Sequence, residues 1–128
     1  MSEFYFRSEV GLLAYSPLAQ GYLSGKYLNG ARPKGSRTQL FGRGQRYETE
    51  SAENSIQKYV DYAKEINMDP SVMANAFVNS RDFVTSNIIG ATTMEQLKLA
   101  IDSFEVELSE DNLSYLDQVH AACPNPCP

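Results

Sequence analysis

The chain is poor in the residues that build metal sites and disulfide frameworks, with two cysteines and one histidine among 128 residues. Cys123 and Cys127 stand in the proline-rich tail ACPNPCP without further ligands at zinc spacing, so we expect two reduced thiols in a frayed terminus and no metal. His120 falls beside the apolar stripe of the last predicted helix, where an ordinary, partly exposed histidine is expected.

Long apolar runs are also missing. No stretch approaches the ~20 apolar residues that a membrane span requires. The first residues, MSEFYFRSEV, lack the basic-then-apolar order of a signal peptide. We therefore expect a cytoplasmic protein that makes no membrane contact.

Acidic residues are absent from Lys26 to Arg46, although the whole chain carries a net charge of −5. A basic segment on an acidic chain favours a small anionic ligand over a polyanion. The tripeptide Gly42-Arg43-Gly44 raises the possibility of nucleic-acid binding, but no aromatic stripe or recognised fold accompanies it. A solvated, flexible loop is the simpler alternative. The basic residues of the segment are Lys26, Arg32, Lys34, Arg37, Arg43 and Arg46.

A short apolar run, Val10–Tyr15, is followed by the turn-rich sequence SPLAQGYLSGKY. An apolar run of this length bounded by turn residues is typical of a buried strand in a parallel sheet. Gly21 and Gly25 permit close backbone approach, and Lys26 supplies a charge, as an anionic ligand at the strand's carboxyl end would require. An ordinary turn explains the same residues, since many loops contain Ser, Pro and Gly.

Residues 28–50 show no clear periodicity, and loops of that length tend to be functional lids or disordered. A helix is predicted from about Ser51, and Asp69-Pro70 ends it and starts another, because proline suits the first helical turn. The apolar stripe of the first helix comprises Ile56, Val60, Ala63 and Ile66, and that of the second comprises Val72, Met73, Ala76 and Phe77.

A second short strand is predicted over Ser86–Ile89, stopping at Gly90. Thr92 or Thr93 opens the next helix, and Ser109 caps a last one, which buries Leu113, Leu116 and Val119. The order β-α-α-β-α-α predicts a helix-rich α/β fold with parallel strands. Apolar residues recur at spacings of three, four and three in the helix after the second strand, and we expect them to face the core: Met94, Leu97, Ile101 and Phe104.

The start of that helix has two interpretations. Thr92 with Glu95, or Thr93 with Gln96, satisfies the capping-box pattern, which needs no ligand. A helix N-terminus is also an anion site, so the two interpretations are compatible.

Together, SPLAQGYLSGKY and SNIIGATTMEQ (residues 86–96) resemble the segments around the seventh and eighth strands of the aldo-keto reductases. The likeness is closest to the branch of the Tas-like bacterial proteins and the potassium-channel β subunits, and it runs from about Val10 to the C-terminus. It implies the C-terminal portion of a (β/α)8 TIM barrel, incomplete because such barrels need ~250 residues. The resemblance makes residues 1–128 one partial reductase domain, with a long basic loop at 28–50 and a tail at 121–128.

The resemblance further implies NADP(H) as the cofactor. Tyr15 takes the position that stacks on the nicotinamide, Lys26 approaches the phosphates, and Arg37 reaches the 2′-phosphate. The turn at the pyrophosphate is matched by Ser16, Pro17, Leu18, Ala19, Gln20 and Gly21, and the adenosine side by Gly90, Thr92 and Gln96.

One position departs from that branch, which usually carries asparagine where this chain has Ala100, after Leu99. The asparagine meets adenine in the branch. Its loss removes hydrogen bonds worth ~0.5–1.5 kcal/mol each, which weakens adenine recognition.

In the complete enzymes, hydride passes from the nicotinamide to a carbonyl carbon while a tyrosine protonates the oxygen. No motif of the family's Asp, Tyr, Lys and His tetrad matches this chain, so we expect a cofactor-binding segment that reduces no carbonyl substrate by itself. The alternatives are a non-catalytic NADPH-binding or interaction module, or one partner of a split barrel. Open barrel edges would also favour self-association.

Overall fold

The structure is a computed structural model that describes residues 2–42 and 44–127. Its sheet consists of two short parallel strands, β1 (Leu12–Tyr15) and β2 (Val84–Ile88). Leu12 is paired with Val84 and Tyr15 with Ile88, with one irregularity after Leu12. The predicted parallel arrangement is confirmed, and both strands end at the same edge of the sheet.

Helices make up most of the remaining regular structure. The α-helices are α1 (Ser2–Ser8), α2 (Arg37–Phe41), α3 (Glu50–Glu65), α4 (Pro70–Asn79), α5 (Met94–Asp102) and α6 (Glu110–Ala122). Short 3-10 turns cover Ala19–Ser24, Leu28–Gly30, Gln45–Tyr47 and Ser103–Glu105. Within the described residues, no helix has both the length and the apolar character needed to cross a membrane. The protein is a helix-rich α/β structure with a small parallel sheet.

The helix starts follow from side chains that satisfy otherwise free backbone N–H groups. The Asp69 carboxylate accepts from the N–H of Ser71 at 2.7 Å, and Pro70 occupies the first turn of α4. Ser109 and Asn112 form a reciprocal capping box at the start of α6. The helix starts predicted at Asp69-Pro70 and at Ser109 are therefore confirmed.

Two clusters of buried side chains form the core. The first joins the turn after β1 to α3 through Tyr22, Tyr27, Ala52, Ile56 and Val60. The second joins α3, α4 and α6 through Ala63, Met73 and Leu116. The predicted apolar face of α3 is therefore buried, and α3 links the two clusters.

The predicted inward face of the helix after β2 is wrong at three of its four positions, since Leu97 alone is half-buried. Met94 and Ile101 on α5 are 78% and 58% exposed, and Phe104 in the 3-10 turn that follows is 65% exposed, whereas Ala100 and Ser103 are buried. Helix α5 contacts α4, and its small side chains allow the two helices to approach closely. Periodicity identified an apolar face correctly, but the described residues provide no element that covers it.

The difference in exposure between Phe104 and Leu116 predicts that substitutions at these residues change the free energy of unfolding by different amounts. Phe104→Ser should change the free energy of unfolding by no more than ~0.5 kcal/mol, as exposed substitutions usually do. Leu116→Ala should cost ~2–5 kcal/mol, because Leu116 is buried against α3 and α4. Thermal denaturation of both variants measures the difference. Equal costs would show that Phe104 is covered in solution.

The expected fraying of the tail is wrong for residues 121–127, the part that the structure describes. The Thr49 and Ser51 hydroxyls donate to the carbonyl oxygen of Pro126 at 2.9 and 3.3 Å, and Cys127 packs against the first core cluster. Both cysteines are free thiols, and burial raises the pKa of Cys127. Residues 126 and 127 are therefore held against the start of α3 and the core, which the proline-rich composition did not indicate.

Candidate functional site

The turn after β1 has an unusual backbone. Ser16, Ala19 and Gln20 have positive φ angles of 63°, 48° and 60°, and Gly21 has a φ of 97°. For residues other than glycine this left-handed region costs ~1–2 kcal/mol each. The turn is closed by the N–H of Gly21, which donates to the Leu18 carbonyl at 2.8 Å. Strained residues of this kind cluster at binding and catalytic sites, so the turn is a candidate site on its geometry.

Lys26 lies directly against this turn. A Cβ added to Gly21 would stand 3.0 Å from Cε and 3.1 Å from Nζ of Lys26. The ammonium also lies 5.1 Å from the ring centroid of Tyr27, which is buried. The glycine thus serves two purposes, since it adopts the left-handed φ and leaves room for the lysine. The structure brings a fixed cation to the predicted turn.

The shared strand edge exposes an aromatic side chain. Tyr15 ends β1 and is 79% exposed, opposite Ile88 in the register. Gly90 follows β2, and no atom lies within 4 Å of the position of a Cβ there. Tyr15 and Gly90, which stand at the strand ends of the two predicted motifs, therefore lie at the same edge of the sheet.

The structure distinguishes between the two predicted caps of α5. Thr93 is the N-cap, and its hydroxyl accepts from the N–H of Gln96 at 3.2 Å. The Gln96 side-chain oxygen accepts instead from the N–H and the hydroxyl of Thr92, at 2.9 and 3.1 Å. Thr92 and Gln96, which the sequence motif pairs on the adenosine side, are thus in direct contact.

Arg37 begins α2 and is exposed. Ser36 caps this helix, and Thr38 is buried, so the backbone around Arg37 is held on both sides. Among the described residues, no carboxylate forms a salt bridge with Arg37. Its charge is free for an anion, while its contact with the strand edge stays a prediction.

Sequence reasoning missed a contact that closes the basic segment. Glu48 accepts from the Tyr22 hydroxyl at 2.5 Å and from Arg32 at 2.7 Å. Burial and the hydrogen bond to Glu48 raise the pKa of Tyr22 well above its ordinary value. Nothing in the local sequence pattern pairs these residues, because 26 positions separate Tyr22 from Glu48.

It also missed a partly buried amide network between the sheet and the helices. The Asn87 side chain on β2 donates to the side-chain oxygens of Asn75 and Asn79 on α4, at 3.2 and 3.0 Å. Asn79 donates to the Ser103 hydroxyl, which donates to the Ala100 carbonyl. The network links β2 and α4 to the end of α5, the helix that begins beside Thr92.

Two crevices of the described surface are not lined by the predicted contact residues. One, of about 250 Å³, is bordered by Tyr22, Tyr27 and Glu48, and the other, of about 280 Å³, by Tyr5, Val10 and Phe83. The first crevice adjoins the turn through Tyr27, whose ring lies beside the Lys26 ammonium.

Comparison with known proteins agrees with the two motifs. A sequence profile of the aldo/keto reductase family matches residues 1–121. Protein tas of Escherichia coli (strain K12) is 50% identical over 119 residues, which cover 93% of this chain and 34% of that protein. L-glyceraldehyde 3-phosphate reductase of the same organism is 35% identical over 115 residues, covering 85% and 33%.

A Schizosaccharomyces pombe protein provisionally named a voltage-gated potassium channel β subunit is 30% identical over 116 residues, covering 85% of this chain and 33% of that protein. The predicted likeness to the Tas-like and channel-subunit branch is thus confirmed. The chain spans about a third of the length of these curated relatives. It belongs to the aldo/keto reductase family.

Proposed function

We propose that this chain is the cofactor-binding C-terminal segment of an NADP(H)-dependent aldo-keto reductase. Members of the family generally use nicotinamide cofactors. The observation that carries the proposal is the left-handed turn at residues 16–21, with Lys26 lying on Gly21, at the edge where β1 and β2 both end. Anionic ligands bind at that edge of parallel sheets, where backbone N–H groups and a cation can meet phosphate oxygens.

Each residue of the edge has a role in this proposal. Tyr15 offers an exposed ring for stacking on the nicotinamide, and Lys26 pairs with the pyrophosphate. Arg37 meets the 2′-phosphate of NADP(H), whose extra charge suits a basic loop. The backbone of the turn, comprising Ser16, Pro17, Leu18, Ala19, Gln20 and Gly21, completes the phosphate cradle, and Gly90, Thr92 and Gln96 hold the adenosine side.

In the same proposal, β1 and β2 are the seventh and eighth strands of a TIM barrel. Leu13 and Ile88 are 59% and 48% exposed on the sheet, and α5 leaves a second apolar face uncovered. Neighbouring strands and helices of a barrel would cover such faces. Residues 1–128 then form a partial domain, with a basic loop at 28–50 and a tail at 121–128.

The bound nicotinamide would supply hydride chemistry, and this chain would bind and orient it, which is the share of the work that proteins usually take in cofactor enzymes. We assign no catalytic acid or base within the chain. The substrate class that we propose for the whole enzyme is a carbonyl compound, with aldehydes as the first compounds to test.

NADPH fluorescence titration tests the proposal. We expect saturable binding by the 128-residue chain and no NADPH consumption with a model aldehyde. Lys26→Ala should weaken binding about 10- to 100-fold, the equivalent of one charge-assisted hydrogen bond of ~1.5–3 kcal/mol. Lys58→Ala, which removes an exposed lysine of α3, is the matched control and should leave the affinity unchanged.

Two results would contradict the proposal in different ways. A chain that shows no saturable binding is not a cofactor segment. A chain that consumes NADPH with the aldehyde, after removal of host reductases, contains catalytic groups that we have not assigned.

The uncovered faces favour a second candidate, an interaction module or one partner of a split barrel. Strands with open edges and apolar faces associate readily. Size-exclusion chromatography at several concentrations tests the self-association that the uncovered faces predict, and a monomer at all concentrations would contradict it. Self-association without saturable NADPH binding would favour the interaction module over the cofactor segment.

A further inference from the structure

Three residues fasten the two ends of the basic loop to the core. Arg32 at its start and Glu48 at its end form a salt bridge with an N–O distance of 2.7 Å. The Tyr22 hydroxyl donates to the same carboxylate oxygen, and its ring is buried in the first core cluster. We name Tyr22, Arg32 and Glu48 the loop clasp.

The backbone of the basic loop also lies close to the loop clasp at Gly44. A Cβ at Gly44 would lie 2.1 Å from the Tyr22 hydroxyl oxygen, and the φ of this glycine is 135°. The backbone of the loop therefore passes directly beside the clasp. The loop is held near its end as well as at Arg32.

The segment that the clasp encloses is cationic in sequence. Glu48 forms its salt bridge with Arg32, which precedes this segment. Residues 33–47 contain no acidic residue and four basic ones: Lys34, Arg37, Arg43 and Arg46. The Tyr22 hydroxyl donates to Glu48, and burial together with this hydrogen bond raises the pKa of Tyr22. The loop is thus fixed at its ends by one carboxylate while its middle stays cationic.

We propose that the loop clasp determines the preference for NADP(H) over NAD(H), by holding Arg37 in place for the 2′-phosphate. The inference rests on the proposed function. A loop ordered during folding loses less conformational freedom when the ligand binds, so the phosphate contact is stronger. Tyr22, Arg32 and Glu48 are positioning residues in this scheme and need not touch the cofactor.

Tyr22→Phe and Glu48→Gln test the inference, with Tyr47→Phe as the matched control. Tyr47 belongs to the same aromatic group, 5.2 Å from Tyr22 between ring centroids, but its hydroxyl is not part of the clasp. We expect the clasp variants to bind NADPH about 5- to 10-fold more weakly, as loss of one hydrogen bond implies. Affinity for NADH should not change, and Tyr47→Phe should bind both nucleotides as the unchanged chain does.

Adenosine 2′,5′-bisphosphate, measured by calorimetry, isolates the 2′-phosphate contact and should lose affinity in parallel with NADPH. If NADPH and NADH weaken equally in the clasp variants, or neither weakens, the clasp does not set the preference and the inference is overturned. Circular dichroism confirms that each variant is folded.

Limited trypsin digestion gives a readout that needs no nucleotide. The bond after Arg37 should be cut faster in Tyr22→Phe and Glu48→Gln than in the unchanged chain, while the bond after Lys98 on α5 serves as the internal reference. An unchanged chain that binds neither nucleotide overturns the proposed function and the preference with it. Cleavage at Arg37 that is unaffected by the variants overturns the clasp itself, whatever the nucleotides do.

Discussion

Gly21→Ala is expected to weaken NADPH binding about three- to tenfold. The added Cβ would lie 3.0 Å from Cε and 3.1 Å from Nζ of Lys26, so the end of the flexible lysine side chain must shift by a few tenths of an ångström. A shifted ammonium makes a weaker contact with phosphate, and the loss is a part of the ~1.5–3 kcal/mol that a whole charge-assisted hydrogen bond contributes. The left-handed φ of 97° adds a cost in fold stability of ~1–2 kcal/mol.

Gly30→Ala separates these two effects. Gly30 also has a positive φ, of 70°, but no atom lies within 4 Å of the position of its Cβ. The control should therefore lose similar stability while it retains its affinity for NADPH. Calorimetric titration and thermal denaturation of both variants give the comparison. Equal loss of affinity would show that the site responds to general destabilisation and not to the position of Lys26.

Asn87→Leu is expected to lower the free energy of unfolding by ~1–3 kcal/mol. The substitution keeps the branched shape of the side chain but removes the donor to Asn75 and Asn79, whose side-chain oxygens accept from it. It also removes the Oδ1 of Asn87, a buried acceptor without a partner among the described residues, which offsets part of the loss. A buried acceptor left without a partner costs ~1–3 kcal/mol. Asn75 is 1% exposed, so water does not readily replace the lost donor.

Asn54→Leu is the control for this substitution, since Asn54 is exposed on α3. Its unfolding free energy should change by no more than ~0.5 kcal/mol. Urea denaturation measures both variants. If Asn87→Leu is as stable as the unchanged chain, apolar packing replaces the amide network at no cost, and the network does not stabilise the junction of β2, α4 and α5.

Local signals allowed much of the fold to be predicted. Asp69-Pro70 and Ser109 identify helix starts because a cap acts within three or four residues of the chain. The apolar spacing of α3 likewise predicted Ile56, Val60 and Ala63 on the buried face.

The remaining features depend on contacts between distant residues. The spacing of Met94, Ile101 and Phe104 defines an apolar face along α5 and the 3-10 turn after it, but gives no information on what covers that face. The hydrogen bond from Tyr22 to Glu48 and the amide network around Asn87 pair polar groups that no short motif connects.

The candidate site likewise has features that the sequence predicted and features that it did not. Lys26 and the glycines of the turn were recognised from residue type, and Tyr15 and Gln96 from the motif resemblance. The left-handed backbone at Ser16, Ala19 and Gln20 was not foreseen, because residues of these types adopt it rarely and only where the surrounding structure imposes it.

The parallel pairing of β1 with β2 also constrains the order of folding. The strands pair Leu12 with Val84, so a loop of roughly 70 residues must close before any strand–strand hydrogen bond forms. Helices α3 and α4 lie inside that loop, have their own caps and contact each other locally. Non-local pairing of this kind is slow. We therefore expect the helical pair to form before the edge where β1 and β2 end.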